Sequence, residues 1–285
     1  CDRRQRQMCI RDRAKIERGL MKVLFIITNL FVFMEEVSVL QNLNLDNSTL
    51  ILTVNTDYNT DITQIDFSTD LICAAKKYLN TVIRCAFIQY VQFNDICNDH
   101  YDYIFSATHL QDHFADLLRD CDYENLVLVE DGTYDYQDEV PFHNDVVQAA
   151  LAVYLFHPER EPARYRYSAL HGISMNVEQQ LLTLCYTVFP DVMQQLGTLP
   201  ANTPIIFTSP LVEDFGILDH AKQLLKYLEE HYSGTSIILK KHPRDKSKYD
   251  SSKVNLIMCP SILPGQILDQ MFDGLHQFLS FNLQS

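Results

Sequence analysis

Residues 124–136, ENLVLVEDGTYDY, place the strongest constraint on how this chain can fold. Leu126–Val129 is an aliphatic run that ends directly in two carboxylates, Glu130 and Asp131, followed by Gly132. A short apolar run without polar alternation reads as a strand buried on both faces, which is the strand of a parallel sheet covered by helices. In open sheets of that kind ligands sit at the carboxyl ends of the strands. A second run of the same design, TSIILKKHPRD at 235–245, ends in a lysine pair, a histidine and an arginine. The chain therefore brings acids to one strand end and bases to another.

The remaining elements alternate in keeping with those two strands. Strands are predicted at Met21–Thr28, Leu50–Asn55, Tyr101–Ala107 and Leu126–Val129, separated by helices at Leu30–Leu43, Phe67–Leu79 and His109–Arg119. Val82–Phe93 is rich in β-branched and aromatic residues but long for one strand. A helix is expected over Asn144–Phe156, and the two prolines of His157–Pro162 then mark a boundary. Beyond it come a helical Val177–Leu196, a strand Pro204–Thr208, a helix Ile217–His231, strands Ser236–Leu239 and Val254–Met258, a helix near Gln266–Phe272 and a strand Gln277–Phe281. The pattern is α/β, with two Rossmann-like domains at 21–160 and 161–285.

Residues 1–20 stand apart from both domains. Arg3–Asp12, RRQRQMCIRD, matches the translation of a transposase adapter used in sequencing libraries, so Cys1–Arg13 is set aside. The native start is expected at Met21, and the chain is read as a metagenomic fragment whose far end is also cut. Setting aside five arginines and two aspartates from 23 basic and 37 acidic residues leaves a net charge of −17. Such a field disfavours general nucleic-acid binding. The apolar run Val23–Met34 is too short to span a bilayer, is interrupted by Asn29 and leads into Glu35 and Glu36 rather than a small-residue cleavage site. The expected compartment is the cytoplasm.

Outside the first thirteen residues six cysteines remain: Cys73, Cys85, Cys97, Cys121, Cys185 and Cys259. They form no CxxC and no paired spacing, so neither a zinc site nor a disulfide framework is expected, and they read as small buried apolar residues.

Strand alternation sends Glu130 and Asp131 in opposite directions, so only one of them can face a given ligand. Asp131 is a candidate general base near a substrate hydroxyl. The acidic pair also fits ordinary turn or helix-capping chemistry. Lys240, Lys241, Arg244, Lys246 and Lys248 surround His242 in the densest basic cluster of the chain, which suits a phosphate-bearing ligand or a solvated basic loop. His157-Pro158, following an expected helix, reads as boundary structure. Asp120-Cys121-Asp122 matches a minimal DxD pattern, but acids between a helix and a strand commonly cap and turn. GxGxxG, GxxxxGK[ST] and HExxH are all missing from the sequence, so dinucleotide enzymes, P-loop enzymes and zincins lose their usual support.

Taken in order, strand-EDG, FTSPL at 207–211, strand-KKHPRD and LPGQIL at 263–268 resemble the bacterial sialyltransferases of glycosyltransferase family 52 and their capsular polysialyltransferase relatives. The opening MKVLFIITNLF is similar to their first strand and loop. The resemblance implies a GT-B fold, two Rossmann-like domains facing a central cleft, with CMP-sialic acid as donor, inversion at the anomeric carbon, and neither metal nor cofactor. It puts the acceptor base on Asp131 and the group assisting departure of CMP on His242. It puts nucleotide and phosphate contacts on Thr208, Ser209, Lys241, Arg244, Gln266 and Ser280. The acceptor implied is a sugar of a lipooligosaccharide, capsule or other surface glycan, reached by peripheral association with the inner face of the membrane.

This chain departs from the family pattern in two places. Gln266 stands where many relatives carry a glutamate for the nucleotide ribose. Of the paired serine/threonine motif expected near the end, only the unpaired Ser280 and Ser285 remain, which truncation would explain. Three other readings stay open: a GT-B transferase with another nucleotide donor, a wall or capsule phosphotransferase, and a non-catalytic sugar- or nucleotide-binding α/β protein.

Overall fold

The computed structural model describes residues 20–45, 48–55, 65–83, 87–108, 110, 112–131, 133–136, 144–160, 165, 168–173, 176–209, 216–242, 245–272 and 276–277. The chain divides into two compact units, Cys1–Thr60 with Leu71–Val177 and Asp61–Asp70 with Glu178–Ser285.

The first unit is built on a seven-stranded sheet: β1 (Lys22–Ile27), β2 (Thr49–Val54), β3 (Phe87–Tyr90), β4 (His100–Ala107), β5 (Asp122–Val129), β6 (Ala152–Leu155) and β7 (Leu170–Gly172). Every pairing is parallel and the spatial order is β3-β2-β1-β4-β5-β6-β7. Its helices are α1 (Leu30–Asn42), α2 (Ile65–Val82, of which Leu71–Val82 falls in this unit), α3 (Asp112–Asp120) and α4 (Asn144–Ala149). The order reverses between β1 and β4, the switch point where such sheets open a crevice at their carboxyl edge.

Continuous burial of Val23–Ile27 follows from helices lying on both faces. Phe25 faces Phe33 of α1 at 6.3 Å, and Phe33 in turn meets Tyr78 of α2. Leu24 and Ile26, pointing the other way, share a core with Phe114 and Leu118 of α3 and with Val146 and Val147 of α4. Each such aliphatic or aromatic side chain contributes about 1.5–3 kcal/mol on burial. Asn29 starts α1, its side-chain oxygen accepting the N–H groups of Phe31 and Val32 at 2.9 and 3.0 Å. That cap turns the chain at the carboxyl end of β1.

The second unit carries α5 (Val177–Val188), α6 (Pro190–Gly197), β8 (Ile205–Phe207), α7 (His220–His231), β9 (Ser236–Lys240), β10 (Asn255–Cys259), α8 (Gly265–Met271) and β11 (His276–Gln277). Its four strands are parallel in the order β10-β9-β8-β11. Leu224 and Leu228, one turn apart on α7, pack on Ile206, Ile237, Leu239 and Val254.

Several sequence expectations are corrected. Asn144–Phe156 is not one helix: α4 ends at Ala149, and Ala152–Leu155 pairs with β5, with Val127 opposite Ala152. The AVYL segment is buried along its length, and an available sheet neighbour outweighs its helical context. The first sheet continues past the prolines, since β7 pairs with β6 beyond them. Val177–Leu196 is two helices, because Pro190 opens the second at a position where its missing N–H costs nothing.

The cysteine reading changes too. Cys97 and Cys121 are joined in a disulfide. They precede β4 and β5, whose register sets His100 opposite Asp122 and so brings the two sulfurs together. Cys185 and Cys259 are buried as expected, whereas Cys73 is exposed and Cys85 lies outside the described residues. Among the described residues no helix is long and apolar enough to cross a membrane.

Candidate functional site

Each unit carries one of the two expected catalytic residues at a strand's carboxyl end. In the first, β5 delivers Glu130 and Asp131 between β4 and β6. Glu130 turns inward and is 6% exposed, accepting the Phe156 N–H at 2.8 Å and the Tyr136 hydroxyl. Burial raises its pKa, opposed by those two hydrogen bonds. Asp131 is half-buried, and its backbone N–H donates to Asp135 at 2.7 Å. Asp135 is buried and also takes the Tyr165 hydroxyl. The acids on either side of Asp131 are thus committed to holding the loop.

Two further groups border this cluster. Glu35 on α1 is fully buried, its carboxyl oxygens find no hydrogen-bond partner among the described residues, and its pKa is raised well above the ordinary value. Burial is the main cause, followed by the charges of Glu130, Asp131, Asp135 and Glu36. His157 follows strand β6 rather than a helix, which corrects its reading as boundary structure. Its N–H donates to the Tyr136 hydroxyl at 3.0 Å, its ring lies 6.1 Å from the Tyr136 ring, and Arg160 sits 5.1 Å over that ring.

In the second unit the ends of β8 and β9 lie side by side. The Thr208 N–H donates to the Lys240 carbonyl at 3.0 Å, carrying the ladder one step past the strands. Lys240 points inward, donates to the carbonyls of Lys241 and Ser261, and has its pKa lowered to about 8 by burial. Lys241 is half-buried, its ammonium on the Ser247 carbonyl at 2.7 Å and 5.8 Å from the Tyr249 ring centre. His242 follows, also half-buried.

Asp245 organises this loop. It is buried and accepts the Thr208 hydroxyl, the Tyr249 hydroxyl at 2.9 Å and the Ser247 N–H at 2.9 Å. Ser209 is exposed. Gln266 is exposed in the first turn of α8, beside Gly265, where a Cβ would stand 2.9 Å from the Phe207 ring. The FTSPL and LPGQIL segments therefore meet at Phe207 and Gly265. Arg244 and Ser280 lie outside the described residues.

As for metals, Asp120 ends α3 and Asp122 opens β5, at the amino end of that strand. Among the described residues one set of ligand-type groups, His100, Asp102 and Glu124, brings its donor atoms within 4.8 Å of one another. It too belongs to the amino-terminal part of β4 and β5, about 20 Å along the strand from Asp131.

Sequence reasoning passed over Asp245, Asp135 and Glu35. Asp245 closes the KKHPRD motif, and a lone acid after a run of bases was a visible signal. Glu35 and Glu36 interrupt an otherwise apolar helix, FVFMEEVSVL, which also marks them. Asp135 offered no comparable signal.

Comparison with known proteins bears out the family resemblance. A family model described as glycosyltransferase family 52 matches residues 48–281. An uncharacterized protein of Haemophilus influenzae is 24% identical over 184 residues, which cover 58% of this chain and 58% of that protein. The chain thus spans less than two thirds of that relative's length. The crystal structure of a glycosyltransferase from Rickettsia africae ESF-5 aligns with 90% of this chain and 72% of that one, at 11% identity and a TM-score of 0.36.

Proposed function

The chain belongs to glycosyltransferase family 52, and from that premise we propose that it transfers sialic acid from CMP-sialic acid to a sugar hydroxyl of a surface glycan, as an inverting, metal-independent enzyme of the GT-B type. The observation that supports the reading is that each unit ends one strand in a buried charged residue followed by a partly exposed one. Asp131 is half-buried where Glu130 and Asp135 are buried, and Lys241 and His242 are half-buried where Lys240 is buried.

In the proposed reaction Asp131 takes the proton of the acceptor hydroxyl. The freed oxygen bonds to the anomeric carbon from the face opposite the nucleotide. The bond from that carbon to the phosphate oxygen breaks, its electron pair leaves with CMP, and His242 gives a proton or hydrogen bond to the departing phosphate. The donor carries a phosphodiester and a carboxylate, so the cations of Lys241 and Arg244 have two anions to neutralise. Preorganised donors act most strongly on such developing charge, and losing one costs about 3–4 kcal/mol of barrier.

A thermal-shift titration with CMP, UDP and GDP at matched concentrations tests the donor. Selective stabilisation by CMP is expected, about 2.7 kcal/mol at a hundredfold excess over the dissociation constant. Stabilisation by UDP or GDP instead would overturn the donor assignment. Transfer that survives EDTA checks metal independence.

A further inference from the structure

Thr208 falls in the segment expected to contact the nucleotide, yet its hydroxyl is already committed. A threonine hydroxyl has one proton and two lone pairs. Here the proton is directed at Asp245, and a lone pair accepts the His242 N–H at 3.2 Å. What is left to that oxygen is acceptor capacity, whereas a phosphate oxygen requires a donor. The residue is also 7% exposed, so the hydroxyl is largely closed to solvent.

The same bonds hold His242 from both sides of its main chain. Its N–H is taken by Thr208, and its carbonyl accepts the Asp245 N–H at 3.0 Å. Asp245 is in turn fixed by Tyr249 and Ser247, and Thr208 by the Lys240 carbonyl. A histidine that must meet a leaving oxygen within a fraction of an ångström benefits from this kind of support.

We propose that Thr208 and Asp245 form a positioning pair that fixes the backbone of His242, and that the Thr208 hydroxyl is not a ligand of the nucleotide phosphate. The kinetic consequence rests on the reading of His242 as the group assisting departure of CMP. The hydrogen-bond consequence does not.

Three variants separate the possibilities: Thr208→Val, which keeps the shape and removes the hydroxyl, Thr208→Ser, which keeps the hydroxyl, and Asp245→Asn. Amide exchange of His242, followed by NMR, reads the clamp without any donor. Thr208→Val should speed that exchange roughly tenfold, the equivalent of one lost hydrogen bond, while Thr208→Ser leaves it protected. Unchanged protection in Thr208→Val overturns the pair even if Asp245→Asn fails to fold.

Calorimetry with CMP and transfer kinetics read the second half. Thr208→Val and Asp245→Asn should lower kcat about tenfold or more with CMP affinity within roughly threefold of wild type, and the double variant should be no worse than either. A tenfold loss of CMP affinity with kcat retained would instead make the hydroxyl a ligand. Should wild type bind no CMP, the donor assignment falls on its own, and the exchange of the His242 amide still decides the pair.

Discussion

Glu130 and Asp131 are adjacent in sequence and differ in burial: Glu130, 6% exposed, accepts the Phe156 N–H at 2.8 Å inside the fold, while Asp131 is half-buried. The two carboxylates therefore answer differently to the same substitution. On the proposed role of Asp131, Asp131→Asn should lower transfer by about 10²–10⁴-fold with little change in Tm, as loss of a general base does. Glu130→Gln should cost stability, about 1–3 kcal/mol, because the Phe156 N–H and the Tyr136 hydroxyl lose a charged acceptor. Transfer rates and urea denaturation on both variants check this, and the reverse pattern would exchange their roles.

Glu35 and Glu36 make stability depend on pH in the direction opposite to most carboxylates. Both are fully buried, and burial is the first cause of pKa values raised well above the ordinary one. The folded state then binds more protons than the unfolded state. Their contribution is fully present below the unfolded value, about 4.3, and is lost as pH rises through the raised folded values. Glu36→Met should stabilise the protein at neutral pH by about 1–3 kcal/mol, with the gain shrinking toward acid pH. Denaturant midpoints at several pH values test it, and a gain that grew toward acid pH would contradict the direction.

Lys240 gives a slope on the alkaline side. Its folded pKa of about 8 lies below the ordinary 10.5 because burial disfavours the ammonium. Its contribution is fully present above the unfolded value and is lost as pH falls through about 8. The stability difference between wild type and Lys240→Met should therefore shift in favour of wild type between pH 8 and 10, compared in a Cys259→Ala background because Lys240 and Cys259 act on each other's titration.

Gly265 and Gly197 offer a paired test of packing. A Cβ at Gly265 would stand 2.9 Å from the Phe207 ring, whereas one at Gly197 meets no described residue within 4 Å. Gly265→Ala should destabilise by about 1–3 kcal/mol as Phe207 is pushed aside. Gly197→Ala, at the end of α6, should be neutral or stabilise by about 0.5–1 kcal/mol. Equal effects in thermal melts would refute the contact between the FTSPL and LPGQIL segments.

Much of the α/β alternation was legible in the chain itself. Strands β1, β5 and β9 were readable because a parallel strand covered on both faces is a continuous apolar run, and because charge begins where the strand ends. The same logic identified Asp131 and His242 as residues at strand ends. The tertiary structure decided what depends on neighbours distant in sequence. Alternation requires Glu130 and Asp131 to diverge, but the Phe156 N–H at the end of β6 determines which one is buried, and β6 was hidden inside an expected helix. The link between Cys97 and Cys121 follows from the register of β4 on β5, and the clamp on His242 from that of β8 on β9. Local pattern fixes which face of an element is apolar; hydrogen-bond partners brought in from other strands fix which polar group is satisfied inside.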